Sequence, residues 1–237
     1  MSNLRAAFFD LDGTLKLHRD PYLFIHQRLG WGEKTQQFAA MYGLGQIDSD
    51  EWIRRDVALW RGLHRDFLTD LVRQIPYTPG AKDAIEELKR RGVLIAVVST
   101  GLQIHANLIK ADLQLDYAIA NEVVFDGDIA TGEVIIHVHE ADKASIVRDL
   151  MEKKDISRDE CLAIGDGEAD VGMFAMCRIG IAIQPVSERV RRAAQIVLEE
   201  PDLGRLLATV CKLVPEWQCR TADRQEVGSL PASPGTE

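Results

Sequence analysis

The chain of 237 residues is 46% hydrophobic and 27% charged, enough to bury one full core with a small insertion beside it. Its formal net charge of −9 works against nonspecific contact with nucleic acid or an anionic membrane, both of which reward a basic face, so the expected partner is a small soluble molecule. Four cysteines without a CxxC pair fit neither a disulfide framework nor a zinc knuckle, and no apolar run suits a signal peptide or a bilayer span, so the expected setting is the cytoplasm.

Residues 4–9 read as a short buried strand ending in Asp10 and Asp12. Residues 21–75 carry helical patterning with Trp31, Trp52 and Trp60 and no convincing strand, and are expected to form an inserted helical cap hinged at 16–20 and 76–80. From there, strands at 93–98, 161–165, 179–183 and 196–198 alternate with helices at 81–91, 104–113, 143–153 and 187–194. That alternation implies an α/β fold, a Rossmann-like doubly wound parallel sheet covered on both faces. Between 117 and 138, β-rich residues flank Asp126-Gly127-Asp128 and Thr131-Gly132, the pattern of a β-hairpin. Residues 220–237, rich in Ser, Pro, Gly, Thr and charge, read as a disordered tail. The expected division is a core of 1–16 and 77–219, a cap of 17–76 and the tail.

Asp10 and Asp12 stand two apart at a strand end, so an extended backbone points both toward the carboxyl edge of the sheet. Two carboxylates held together repel unless a cation joins them. That edge is where open α/β sheets bind ligands, and Gly13 and Thr14 let the loop approach one closely; the plainer account is a solvated acidic turn. Gly165-Asp166-Gly167, with Asp170 following, repeats the situation at another strand end. Two strand ends delivering Asp10, Asp12, Asp166 and Asp170 make an oxygen-rich site suited to Mg²⁺, with helix capping as the alternative. Ser99, Thr100 and Gly101 follow a strand and precede a helix, so they read either as an anion site at a helix N-terminus or as ordinary capping. Lys143 opens a helix, where its charge opposes the helix dipole unless an anion is near.

Phe8-Phe9-Asp10-Leu11-Asp12-Gly13-Thr14-Leu15 matches FFDxDGTL, and VVSTG, a lysine and GDGxxD follow in order. This combination resembles the haloacid dehalogenase superfamily over residues 4–212, and residues 116–134, DYAIANEVVFDGDIATGEV, resemble its phosphoserine phosphatase branch. The resemblance implies a Mg²⁺-dependent phosphatase acting on a small phosphorylated metabolite. Asp10 would be the nucleophile, Asp12 the acid and then the base, and Ser99 and Lys143 the phosphate ligands, with Thr100 and Gly101 beside them. Asp166 would hold the metal with Asp170 in support, and Asp10, Asp12 and the Leu11 carbonyl would complete the set. Physics agrees: attack by a carboxylate splits one hard step into two, while cations offset the repulsion between anions. Phosphotransfer to another alcohol uses the same intermediate, whereas a noncatalytic binding module is disfavoured because every required charged group is present.

Two departures stand out. Ala169 replaces the asparagine usual in the branch's last motif. In phosphoserine phosphatases a glutamate after the first motif and a cap arginine engage the amino and carboxylate groups of phosphoserine, and an ungapped register brings Arg19 and Asp56 to those places. With both charges reversed, the two are expected to pair as the cap closes and to favour a phosphomonoester lacking the amino-acid head. A shift of one or two positions would instead put Asp20 in the glutamate's role and Arg54 or Arg55 in the arginine's.

Overall fold

A computed structural model describes residues 4–213, and the expected tail at 220–237 lies outside them. Strand β1 (Ala6–Phe9) is buried along its whole length, as an apolar run between two parallel neighbours must be. Those neighbours are β2 (Leu94–Leu102) and β5 (Cys161–Gly165). Beyond β2 lies β3 (Tyr117–Asp126), which turns back through Gly127 into the antiparallel edge strand β4 (Ile129–Ile135). Beyond β5 lie β6 (Ile179–Ile183) and β7 (Ile196–Leu198), both parallel, giving the order β4-β3-β2-β1-β5-β6-β7. The chain leaves β1 to one side through β2 and returns to its other side with β5, so β1 ends at the switch point of the sheet, where α/β folds open a crevice.

Alternate side chains of β1 feed two cores. Ala7 and Phe9 pack with helices α5 (Ala81–Arg90), α6 (Gln103–Leu113) and α10 (Leu206–Leu213) on one face. Ala6 and Phe8 pack with α7 (Lys143–Lys153), α8 (Asp170–Met176) and α9 (Glu188–Ala193) on the other.

A third core belongs to residues 21–75, folded as α1 (Pro21–Arg28), α2 (Gly32–Gly43), α3 (Ser49–Ala58) and α4 (Arg65–Arg73). Ile25, Val57, Trp60, Leu68 and Val72 are buried there together with Val123 and Ala130 of the hairpin. The hairpin therefore completes the cap's core as well as extending the sheet. Backbone bonds from Gly62 N to Ala130 O (2.9 Å), Ala130 N to Leu63 O (2.8 Å) and Arg65 N to Asp128 O (2.7 Å) stitch the two together. The segments joining cap and sheet run side by side. Leu17 N donates to Pro76 O at 3.0 Å and buried Lys16 Nζ to Ile75 O at 2.5 Å. No helix among the described residues is long and apolar enough to cross a membrane.

Candidate active site

Asp10 and Asp12 leave the end of β1 into one cavity of about 350 Å³ between sheet and cap, which Ser99, Thr100, Gly101, Lys143, Asp166 and Asp170 also line. The loop turns at Gly13, whose φ of +89° is open to glycine, and a Cβ there would also strike Asp166. Asp10 is 5% exposed, and Lys143 Nζ donates to its Oδ1 at 2.5 Å and to Asp170 Oδ1 at 2.7 Å. The dipole penalty of a lysine in the first turn of α7 is thereby offset by two carboxylates. Asp170 also turns back on its own loop, its Oδ2 accepting from Asp166 N and Gly167 N, each at 2.9 Å.

Burial pushes the Asp10 carboxyl up to about 7 against the pull of Lys143, and Asp170 and Asp12 add to the rise. Burial, with Asp10 and Asp170 beside it, pushes Asp166 up to about 8. Burial by itself would lower the Lys143 ammonium, but Asp10 and Asp170 outweigh it and the net shift is upward. Such a crowd of carboxylates calls for more positive charge than Lys143 and Arg19 supply. Asp10, Asp166 and Asp170 offer oxygens all within 4.8 Å of one another, a hard all-oxygen set that fits Mg²⁺.

Two other residues expected as metal ligands, Leu11 and Asp12, make different contacts here. The Leu11 carbonyl accepts from Lys16 N (2.9 Å) and Thr14 N (3.3 Å) in the turn that follows β1. The Asp12 carboxylate faces away from the trio, its Oδ2 accepting from Ser99 Oγ at 3.2 Å and its Oδ1 lying 3.1 Å from His105 Nδ1. Nor does Ser99-Thr100-Gly101 sit at a helix N-terminus. β2 runs on to Leu102, and these residues form a bulge facing the single residue Ala120 of β3. Backbone groups freed by the bulge find side chains: Thr100 O accepts from Asn121 Nδ2 (2.9 Å) and Tyr22 OH (3.2 Å), and Gln103 Oε1 accepts from Ala120 N (2.7 Å). Gly101 N donates to Ser99 Oγ at 2.9 Å, and a Cβ on Gly101 would collide with Asp12 Oδ2.

The cap residues divide. Arg19 lines the cavity but pairs with Asp166 (Nε to Oδ2, 3.0 Å) and with the Gln184 carbonyl, not with Asp56. Asp20 lines it too and caps α1 through Oδ1, which accepts from Leu23 N at 2.9 Å. Asp56 lines it at 3% exposure and faces His26 across 3.7 Å. Arg54 and Arg55 are not among the lining residues; they point along α3 to Asp50 and Glu51, the partners that i,i+4 spacing supplies.

Several contributors escaped the sequence reading. His105 is fully buried on α6, and its one legible signal is a lone imidazole on the face that Ala106, Ile109 and Leu113 give to the core. His26 accepts from Trp60 Nε1 at 2.9 Å, a pairing across 34 positions that no local pattern announces. Tyr42 OH donates to Glu140 at 3.0 Å, and His139 Nδ1 lies 2.6 Å from Asp50, two contacts that hold the cap over the cavity.

Comparison with known proteins agrees with this geometry. The family model for haloacid dehalogenase-like hydrolases matches residues 7–175. A probable phosphoserine phosphatase of Schizosaccharomyces pombe is 33% identical over 206 residues, spanning 86% of this chain and 68% of that protein. The phosphoserine phosphatase of Methanocaldococcus jannaschii is 31% identical over 206 residues, spanning 86% of this chain and 96% of its own. Among solved structures, a phospho-aspartyl intermediate analogue of phosphoserine phosphatase superposes with a TM-score of 0.77 at 29% identity, over 88% of this chain and 99% of that one. With the sheet, the carboxylates at its switch point and these relatives in agreement, the chain belongs to the haloacid dehalogenase-like hydrolase family and is a phosphatase of its phosphoserine phosphatase-like branch.

Proposed function

We propose that the protein is a Mg²⁺-dependent phosphatase of small phosphorylated metabolites that works through an aspartyl phosphate on Asp10. The observation that carries this reading is the pairing of Asp10 with Lys143 inside a buried carboxylate cluster, beside an Asp12 turned to a different set of neighbours. Asp10 Oδ attacks phosphorus as the bond to the leaving oxygen breaks, and Asp12 gives that alkoxide its proton. Asp12 then takes a proton from water, whose oxygen attacks phosphorus and breaks the bond to Asp10. Ser99, the Thr100 and Gly101 backbone of the bulge and Lys143 hold the phosphoryl oxygens. Asp10, Asp166 and Asp170 would hold Mg²⁺, which supplies positive charge that lets an anionic nucleophile approach a phosphate.

Residues 17–76 act as a cap on a core whose described part is 4–16 and 77–213, opening to admit substrate and closing to exclude water. The antiparallel contact of residues 16–17 with 76–77 supports a hinge there. Free, buried Cys161 and Cys177 support a cytoplasmic setting. The test is phosphate release from p-nitrophenyl phosphate with Mg²⁺ and with a chelator. Release is expected only with the metal, and Asp10→Asn is expected to lower it about 10³-fold or more while the protein stays folded by circular dichroism. Near wild-type release from Asp10→Asn sinks the assignment.

A further inference from the structure

The cavity has two ends. At the sheet end the carboxylate cluster, Lys143 and the bulge surround the reacting phosphoryl group. At the cap end the walls are Asp20, Tyr22, Ser49, Trp52, Ile53 and Asp56. There the structure leaves polar groups without partners. Asp56 is 3% exposed, yet among the described residues its Oδ1 has no hydrogen-bond partner, and neither has the buried Trp52 Nε1. Asp56 also lines the cavity, so a group carried in by a ligand can meet a buried carboxyl to which the protein itself supplies no hydrogen-bond donor.

The neighbour nearest to Asp56 does not neutralise it. An indole N–H only donates, so His26 Nε2 must accept from Trp60 and the imidazole proton sits on Nδ1, facing Asp56 Oδ1 at 3.7 Å, beyond hydrogen-bond reach. Burial holds His26 well below its usual range, at about 4, so the ring is neutral. The ring therefore supplies no counter-charge. Charge elsewhere in the cavity points the same way. The cations lining it are Arg19 and Lys143, and both are engaged by carboxylates of the sheet end, Arg19 with Asp166 and Lys143 with Asp10 and Asp170. A substrate carboxylate reaching the cap end would meet Asp20 and Asp56 and, among the described residues, no free cation. A substrate ammonium would meet both carboxylates and the aromatic walls of Tyr22 and Trp52, which favour a cation.

We propose that the cap end selects a phosphomonoester whose alcohol carries an aliphatic ammonium group and no carboxylate, with Asp56 as the specificity-determining counter-charge. This rests on the phosphatase reading above and names the substrate class of that site. Burial holds the Asp56 carboxyl up at about 8 in the empty cavity, and an ammonium set against it restores the ionised form.

The experiment measures kcat/KM with Mg²⁺ for 2-aminoethyl phosphate, its near-isostere 2-hydroxyethyl phosphate, phosphoserine and p-nitrophenyl phosphate. The amine is expected to exceed both the hydroxyl analogue and phosphoserine by about tenfold or more, since only an ammonium without a carboxylate can form an ion pair with Asp56 without bringing a like charge beside it. In Asp56→Asn the ratio of kcat/KM for 2-aminoethyl phosphate to that for p-nitrophenyl phosphate is expected to fall about tenfold or more, and the preference over 2-hydroxyethyl phosphate to shrink. A smaller preference in the wild-type protein, or a win for phosphoserine, overturns the proposal even if the variant fails to fold. Turnover of p-nitrophenyl phosphate keeps these failures apart from failure of the phosphatase reading, in which that ester is not hydrolysed either and both readings fall.

Discussion

Asp10 and Asp12 are neighbours in sequence with different surroundings, Lys143 for the first and Ser99 with His105 for the second. The difference predicts distinct losses. Asp12→Asn should slow hydrolysis of alkyl phosphates by about 10²- to 10⁴-fold, the usual worth of a general acid, while aryl phosphates, whose leaving groups need no proton, lose far less. Equal losses on both ester types, measured as kcat, would argue against the acid role. Asp56 and His26 carry a second residue-scale prediction through linkage. Burial raises the Asp56 carboxyl to about 8, so its protonated form contributes stability that is full below about 4 and is lost as pH rises through 8. Burial lowers His26 to about 4, so its neutral ring contributes stability that is present above about 6.5 and lost as pH falls. The two oppose each other between about 4 and 6.5, and above that Asp56 acts without His26. Stability should therefore decline from pH 6.5 to 8, at most ~1.4 kcal/mol per unit from this one proton, and Asp56→Asn should remove that part of the slope. Denaturant titrations of both proteins across that range check it, and identical slopes would contradict it.

The alternation of strand and helix was legible because parallel strands buried on both faces must be short apolar runs, and 161–165 and 179–183 end where β5 and β6 end. The end of β2 was not. Val98 to Leu102 reads as a strand stop because Ser, Thr and Gly break an apolar run, yet the sheet carries the chain through a bulge whose freed backbone groups are met by Gln103 and Asn121. Local pattern cannot see partners that lie 17 or 21 positions away. The cap's closure belongs to this scale too. Tyr42 of α2 and Asp50 of α3 meet Glu140 and His139 in the loop between β4 and α7. These partly exposed contacts contribute little to folding, about 1 kcal/mol or less each, but under the cap reading proposed above they would bias the cap toward a closed form. Tyr42→Phe combined with His139→Ala should raise KM several-fold and leave the melting temperature nearly unchanged. An unchanged KM would show that the contacts do not hold the cap.

At the scale of the molecule, three cores meet around one polar cavity, two beneath and above the sheet and one shared by cap and hairpin. The electrostatic cost of gathering Asp10, Asp166 and Asp170 in that setting is stored in the folded state, and a bound cation relieves it. Mg²⁺ should accordingly raise the melting temperature, with a stabilisation near 2.7 kcal/mol when its concentration is about 100 times Kd. Asp166→Asn should blunt the rise. A melting temperature indifferent to Mg²⁺ in both proteins would argue against a metal at this cluster.

The order of motifs along the chain by itself determined the fold class, the family and the residues that line the sheet end of the cavity, because strand periodicity and the short acidic and glycine-flanked strand ends are local facts. Which way each group faces was decided only by tertiary structure. The Leu11 carbonyl went to the turn, the Asp12 carboxylate to Ser99 and His105, and Arg19 to Asp166 rather than Asp56. Backbone donors must be satisfied, and a carboxylate takes the nearest donor or cation that packing brings within reach. Those distances are set by the closure of α/β layers over tens of residues, so the grouping of Asp56, His26 and Trp60 at the cap end exists only once the chain has folded.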